Sequence, residues 1–255
     1  MIPKIIHYCW FGDNPLSPLA LKCIESWKKH CPDYEIICWN ETNFDLNYNL
    51  YVQQAHKLKK WAFVSDVARL HALVECGGIY MDTDCELLRP IDTFLEDRAF
   101  LGFESKQAIA AGIMGCEKGN ILFKEFLEYY DNKTFVKLDN SLEMTTIVRI
   151  ITSILMTKGL VLNGKNQIIE GFALYPIDFF YPKSVATGVL NITENSYAIH
   201  HYEGSWLDED VRMLQLKRDF YVKIFGVNIG MKIYRVIKAL KNEGFFGFIK
   251  KIIKK

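Results

Sequence analysis

The sequence predicts an α/β fold organised on a parallel sheet, and three observations carry that expectation. The chain opens in the order strand, helix, strand. Its 255 residues, half of them hydrophobic, suffice for one good core. A pair of acids then falls at the carboxyl end of a short apolar strand, where open α/β sheets gather their ligands.

Each element follows from local pattern. Lys4–Tyr8 reads as a buried strand stopped by Gly12-Asp13-Asn14-Pro15. Residues 17–30 read as a helix, with Ser17 as cap, Pro18 in the first turn and Leu21, Ile24 and Trp27 at three-residue steps. Tyr34–Trp39 is a second strand. A helix is expected over 55–75, with Phe63, Val67, Leu70 and Val74 on one stripe, and Gly77-Gly78 ends it through positive φ. Ile79-Tyr80-Met81 is a short strand that delivers Asp82-Thr83-Asp84. Ala99–Phe103 and Ala110–Met114 read as further strands, 122–130 and 141–158 as helices, and 172–175 and 197–201 as late strands.

The formal net charge of +1 hides an asymmetry. Residues 211–255 carry twelve Lys or Arg against Asp219 and Glu243, which leaves an acidic body. Two regions follow: a catalytic domain over 1–210 and a basic amphipathic helical tail over 211–255. Mean hydropathy near zero and a charged fraction of 24% exclude a disordered chain. Seven cysteines without a C-x-x-C pair or zinc-like spacing read as reduced, buried thiols. No secretory signal and no apolar run of the ~18–20 residues that span a bilayer is present, so a cytoplasmic protein is expected.

Chemistry concentrates around Asp82 and Asp84. Residues two apart on an extended strand point the same way, so both carboxylates can face one cation. Oxygen donors suit Mg²⁺ or Mn²⁺, which keep waters and bind substrate phosphates. A bare D-x-D is more often a solvated turn, and context gives this one its meaning. Ser65, Asp66 and Arg69 lie one helix earlier, with Asp66 and Arg69 three apart and hence on one face.

The combination Val64-Ser65-Asp66-Val67-Ala68-Arg69-Leu70 with Gly77-Gly78-Ile79-Tyr80-Met81-Asp82-Thr83-Asp84 resembles the D-x-D region of glycosyltransferase family 32. That family includes capsule-sugar transferases and fungal α-mannosyltransferases, with the clostridial glucosylating toxins as distant relatives. Ile2–Gly12 is similar to its opening strand, and His200-His201-Tyr202-Glu203-Gly204-Ser205-Trp206 to its closing motif. The resemblance spans about residues 2–207. It implies a GT-A, Rossmann-like domain that binds a nucleotide sugar, a divalent Mn²⁺ or Mg²⁺, and retention of anomeric configuration.

Roles carried over by this resemblance are these. Trp10 stacks on the nucleobase. Asp66 and Arg69 grip the donor sugar, with Ser65 and Tyr80 also in the donor site. Asp82 meets the ribose or the metal's waters, and Asp84 ligates the metal. Ser205 and Trp206 close over the diphosphate. Adjacent His200 and His201 point oppositely on a strand, so one at most ligates, and His201 is the expected third ligand beside Asp82 and Asp84. His7 is expected to be structural. Glu104, Glu170 and Glu203 are unranked acidic candidates for the chemistry at the anomeric carbon. Cys85 stands where family members more often carry an aliphatic residue, and Ala110–Gly115 lacks the polar residue expected near an acceptor.

The function expected is therefore hexosyl transfer from a nucleotide-diphosphate sugar, UDP-hexose ahead of GDP-mannose, to a glycan or lipid-linked acceptor in capsule or surface polysaccharide synthesis. A nucleotide-sugar hydrolase and a non-catalytic carbohydrate-binding module are the competing classes. In the tail, Lys232, Arg235, Lys238 and Lys241 share one helical face and Ile233, Val236, Ile237 and Leu240 the other, before a break at Gly244 and a second stripe from Phe245 to Ile253. That pattern predicts peripheral attachment to the inner face of a membrane, while nucleic acid is not expected because no recognition motif accompanies the charge.

Overall fold

The computed structural model describes the backbone of every residue except Trp206, Asp208, Lys254 and Lys255, and side chains up to Lys241 apart from those at 206 and 208. Two compact units form: Met1–Pro182 with Ile192–His201, and Lys183–Asn191 with Tyr202–Lys255.

The first unit opens as expected. Strand β1 (Ile5–Cys9), helix α1 (Pro18–His30) and strand β2 (Glu35–Trp39) form a parallel unit, in register from Ile5↔Glu35 to Cys9↔Trp39. Ser17 Oγ accepts from the Ala20 N–H at 3.1 Å, which satisfies one donor that the first turn leaves unpaired. The helix expected from residue 55 is instead two, α2 (Leu50–Lys57) and α3 (Trp61–Cys76). Asn49 caps α2 through its side chain, and Lys59 takes φ 55, so the chain turns between them. Helix α3 is buried nearly all round, with Val64, Val67, Ala68, Leu70 and Leu73 fully inaccessible.

Gly77 ends α3 at φ 69, and Gly78 follows at φ 109. A Cβ on Gly78 would lie 2.7 Å from the Ile5 carbonyl oxygen, so the close approach to β1 also needs glycine. Next come β3 (Gly78–Met81), β4 (Cys85–Leu87), β5 (Ala99–Ser105), β6 (Ala108–Ile109) and β7 (Ile113–Cys116). Helices α4 (Ile121–Glu128) and α5 (Ile147–Thr157) precede β8 (Gln167–Ile169), β9 (Phe172–Tyr175), the short α6 (Ile177–Phe180) and β10 (Ala198–His200).

The main sheet runs β2-β1-β3-β7-β5-β9-β8, with β6 on β5. It is mixed: β1 pairs parallel with β2 and β3, whereas β7 lies antiparallel between β3 and β5. A separate ribbon pairs β10 antiparallel with β4, matching His200 to Cys85 and Ile199 to Glu86. The seven cysteines are all free thiols, five of them buried.

In the second unit, α7 (Glu209–Ile253) stays helical at Gly244, where the sequence predicts a break. The chain reverses instead at Gly226, which takes φ 71. Lys241 Nζ reaches Asp210 Oδ1 at 2.6 Å. Thirty-one residues of straight helix would separate them by about 46 Å. Helix α7 is thus an antiparallel hairpin, whose arms approach so closely that a Cβ on Gly230 would lie 2.6 Å from the Tyr221 carbonyl. Leu214, Arg218 and Val222 form the buried stripe of its first arm, and Arg218 donates to the Val185 carbonyl at 2.7 Å.

Candidate functional site

The site forms where β3 ends. Asp82-Thr83-Asp84 is not extended, contrary to expectation. The Cys85 N–H donates to the Asp82 carbonyl at 2.9 Å, closing a tight turn between β3 and β4. Strand alternation therefore does not aim the two carboxylates; the turn does. The Asp82 N–H donates to the Gly112 carbonyl at 2.8 Å, and the Trp27 indole donates to the Cys85 carbonyl at 2.7 Å, so the turn is pinned on both sides.

Asp82 is divided between two neighbours. Its Oδ1 accepts from the Tyr80 hydroxyl at 2.8 Å and from Arg69 Nη1 at 3.1 Å, and its Oδ2 faces His200 Nε2 at 3.9 Å. Arg69 links the helix to the turn. Besides Asp82, its Nη1 donates to the Ala111 carbonyl at 3.0 Å, its Nη2 pairs with Asp66 Oδ1 at 3.1 Å, and its Nε donates to the Ser65 carbonyl at 3.2 Å. The guanidinium also stacks 4.5 Å from the Tyr80 ring centre. Ser65, Asp66, Arg69, Tyr80 and Asp82 are thus one network.

Burial sets the electrostatics here. Burial would lower the Arg69 pKa, but Asp82, Tyr80 and Asp66 outweigh it and hold the guanidinium charged. Burial pushes the Asp66 carboxyl up to about 6, because Arg69 offsets only part of that cost and Asp82 adds repulsion. Burial likewise raises Glu104, which His200 partly offsets. Among the acidic candidates, Glu104 contributes to raising the His200 pKa. Glu170 pairs at the surface with Lys158, and Glu203 belongs to the second unit.

The histidine assignment reverses. His200, not His201, faces the acids, with Nε2 3.0 Å from Asp84 Oδ1. His201 turns away and meets Glu86 Oε2 at 2.8 Å, which also pairs with Lys22 at 2.8 Å. The ribbon register decides this: His200 lies opposite Cys85 and projects inward, while His201 follows on the other face. Burial opposes the charged form of His200, yet Asp84, then Asp82 and Glu104, outweigh it and raise its pKa. Asp84, Cys85 and His200 offer ligand atoms within 4.8 Å of one another, a group able to hold a cation among the described residues. Burial raises the Cys85 thiol far above its ordinary range, and its Sγ lies 3.5 Å from the Gly112 carbonyl. The oxygen and nitrogen donors of Asp84 and His200, beside Asp82 Oδ2, are of the kind that can hold a divalent cation.

Other expected residues are spread around this centre. Trp10 follows β1, whose parallel register with β3 brings it to the same sheet end as the acidic turn; its indole donates to the Asn14 carbonyl at 2.6 Å. His7 is structural, as expected. It is fully buried, accepts from the Trp39 indole at 3.0 Å and meets the Gly77 carbonyl at 2.8 Å, while burial lowers its pKa. Ser205 is exposed in the second unit, and Trp206 lies outside the described residues. Sequence reading missed Gly112. A Cβ there would lie 3.0 Å from Asp82 Oδ2 and 3.2 Å from His200 Cε1, so its missing side chain keeps space open beside both.

The sheet thus carries an acidic turn after β3 that is tied through Arg69 to Asp66 one helix back. Residues 18–101, about a third of the chain, match the family described as "Glycosyltransferase sugar-binding region containing DXD motif". The chain is 29% identical over 123 residues to inositol phosphoceramide mannosyltransferase 3 of Schizosaccharomyces pombe, a match covering 47% of this chain and 34% of that protein. It is 23% identical over 245 residues to Subversion of eukaryotic traffic protein A of Legionella pneumophila, covering 84% and 35% respectively. The chain thus spans about a third of the length of these relatives. Among solved structures, PaToxG glycosyltransferase aligns with TM-score 0.46 and 20% identity, over 62% of this chain and 70% of that one. A glycosyltransferase involved in glycosylation of the major capsid of PBCV-1 aligns with TM-score 0.44 and 12% identity, over 87% of this chain and all of that one.

Proposed function

We propose that the protein transfers a hexose from a nucleotide-diphosphate sugar to a glycan or lipid-linked acceptor, with retention of configuration and with a divalent cation at the acidic turn. The observation that carries this reading is the joined network Asp66–Arg69–Asp82, with Asp84 and His200 beside it. Asp84 and His200 would hold Mn²⁺ or Mg²⁺, with Asp82 Oδ2 facing it directly or through water. Such an ion, when bound, offsets the charge that builds on a departing diphosphate. The protein's own residues then orient the donor. The Arg69 guanidinium, kept charged by its acids, and the Asp66 carboxylate offer a donor and an acceptor to neighbouring sugar hydroxyls, and Trp10 offers an aromatic face at the same sheet end. The name of the fission-yeast relative supports a mannosyl donor and a lipid acceptor as seriously as a UDP-hexose and a polysaccharide.

A thermal-shift series with Mn²⁺ and UDP-hexoses or GDP-mannose tests the reading, because a ligand bound only by the folded state raises its melting temperature. One nucleotide sugar should stabilise the wild type, and Asp84→Ala should remove both that shift and donor turnover. Intact turnover in Asp84→Ala overturns the assignment. Free sugar released at the same rate with and without acceptor would instead mark a hydrolase, and binding without turnover a carbohydrate-binding module.

A further inference from the structure

The reversal of α7 leaves an unusual surface at its end. Residues 223–229 are all exposed, and four of these seven are large and apolar: Ile224 (55% exposed), Phe225 (47%), Val227 (42%) and Ile229 (56%). Soluble surfaces carry such side chains singly; a contiguous set marks a face that something covers. The covering partner's chemistry follows from the charges. From Phe220 to Leu240 the chain holds Lys223, Lys232, Arg235 and Lys238 and no acid. At the helical rise, Lys223, Lys232 and Arg235 fall within about 14 Å of the turn. The nearest acid, Asp219, is already paired with Arg218 at 2.7 Å and Lys183 at 3.5 Å. Tyr221 and Phe225 stack along the first arm with ring centres 6.4 Å apart, and a tyrosine ring with its polar tip favours the membrane–water boundary.

We propose that the Gly226 end of this hairpin docks on an anionic lipid bilayer, with Ile224, Phe225, Val227 and Ile229 entering the headgroup boundary and Lys223, Lys232 and Arg235 meeting lipid phosphates. No helix among the described residues is long and apolar enough to cross a membrane, so the attachment is at the surface. The lipid-binding residues share Lys232 and Arg235 with the basic face that the sequence pattern picks out, and add Lys223 and the apolar residues of the turn. They gather at the reversal, not along a single stripe after Lys232. This surface stands on the hairpin alone, independent of the donor site.

Flotation of the full chain tests it, with phosphatidylcholine vesicles and with phosphatidylcholine–phosphatidylglycerol vesicles. The wild type should float only with the anionic vesicles and detach as salt rises. Phe225→Asp should bind at least about tenfold more weakly, and the triple change Lys223→Gln, Lys232→Gln, Arg235→Gln about a hundredfold more weakly. Both should retain the nucleotide-sugar thermal shift, so a failure here is distinguishable from a failure of the donor site. In Phe225→Trp, the new indole emission should shift to the blue on anionic vesicles, a readout that does not depend on a disruptive substitution. Wild type that stays with the soluble fraction, or Phe225→Asp that floats like wild type, overturns the proposal. So does a concentration-dependent dimer that Phe225→Asp abolishes, since a second copy would then be what covers the face.

Discussion

His200 Nε2 lies 3.0 Å from Asp84 Oδ1, while the adjacent His201 is committed to Glu86 at 2.8 Å on the opposite face of the same ribbon. Two neighbouring imidazoles therefore have different partners. His200→Ala should weaken Mn²⁺ binding by roughly tenfold or more, because it removes a neutral nitrogen donor at the acids. His201→Ala should leave Mn²⁺ affinity within about twofold and cost on the order of 1 kcal/mol of stability, from a largely buried pair. Calorimetric titration of Mn²⁺ into each variant separates them, and a larger loss in His201→Ala would reverse the assignment.

Asp66 makes a prediction about pH. It is 6% exposed, and burial lifts its carboxyl to about 6 in the folded protein. In the unfolded chain an aspartate titrates near pH ~4, so folding takes up a proton between those values. The sign is unusual for an acid. The stabilisation is fully present below about pH 4 and is lost as pH rises through about 6, roughly 3 kcal/mol in all. Asp66→Asn cannot titrate and should lack this slope. Urea unfolding of both proteins across that window should show the wild type losing stability relative to the variant as pH rises. Parallel profiles would mean that Asp66 is ionised throughout and that Arg69 fully compensates its burial.

How much of this was legible in sequence depended on whether the deciding interaction was local. Ser17, Pro18 and the three-residue spacing of Leu21, Ile24 and Trp27 specify α1 within one segment, and the helix forms there. Gly77 likewise ends α3 by its own φ. The pairing of Asp66 with Arg69 follows from three-residue helical spacing, and it holds at 3.1 Å. The aim of Asp82 and Asp84 was not legible in this way. It depends on the Cys85 N–H reaching the Asp82 carbonyl, a turn that the strand pattern of Ile79-Tyr80-Met81 does not announce. Which histidine faces inward is set by the pairing of β10 with β4, more than a hundred residues apart in the chain. In the tail, Gly226 and Gly244 are equivalent as sequence signals. Only the packing of the two arms, tight enough at Gly230 to exclude a Cβ, selects Gly226 as the reversal.

Gly112 supplies the last prediction, because it separates folding from binding at the same site. Its φ lies outside the left-handed region, so alanine meets no backbone penalty there. The added methyl would instead crowd Asp82 Oδ2 at 3.0 Å and His200 at 3.2 Å, closer than ordinary contact. Asp82 Oδ1 is fixed by Arg69 and Tyr80, so the carboxylate can yield only by rotating Oδ2 away from His200. Gly112→Ala should therefore keep its secondary structure and lose about 1–2 kcal/mol of stability, the usual cost of modest overpacking. Its Mn²⁺ affinity and its nucleotide-sugar thermal shift should fall together by roughly tenfold. Circular dichroism with Mn²⁺ titration distinguishes the outcomes. Wild-type Mn²⁺ affinity in a folded Gly112→Ala protein would show that Asp82 Oδ2 has no part in holding the cation, leaving Asp84 and His200 as its protein ligands.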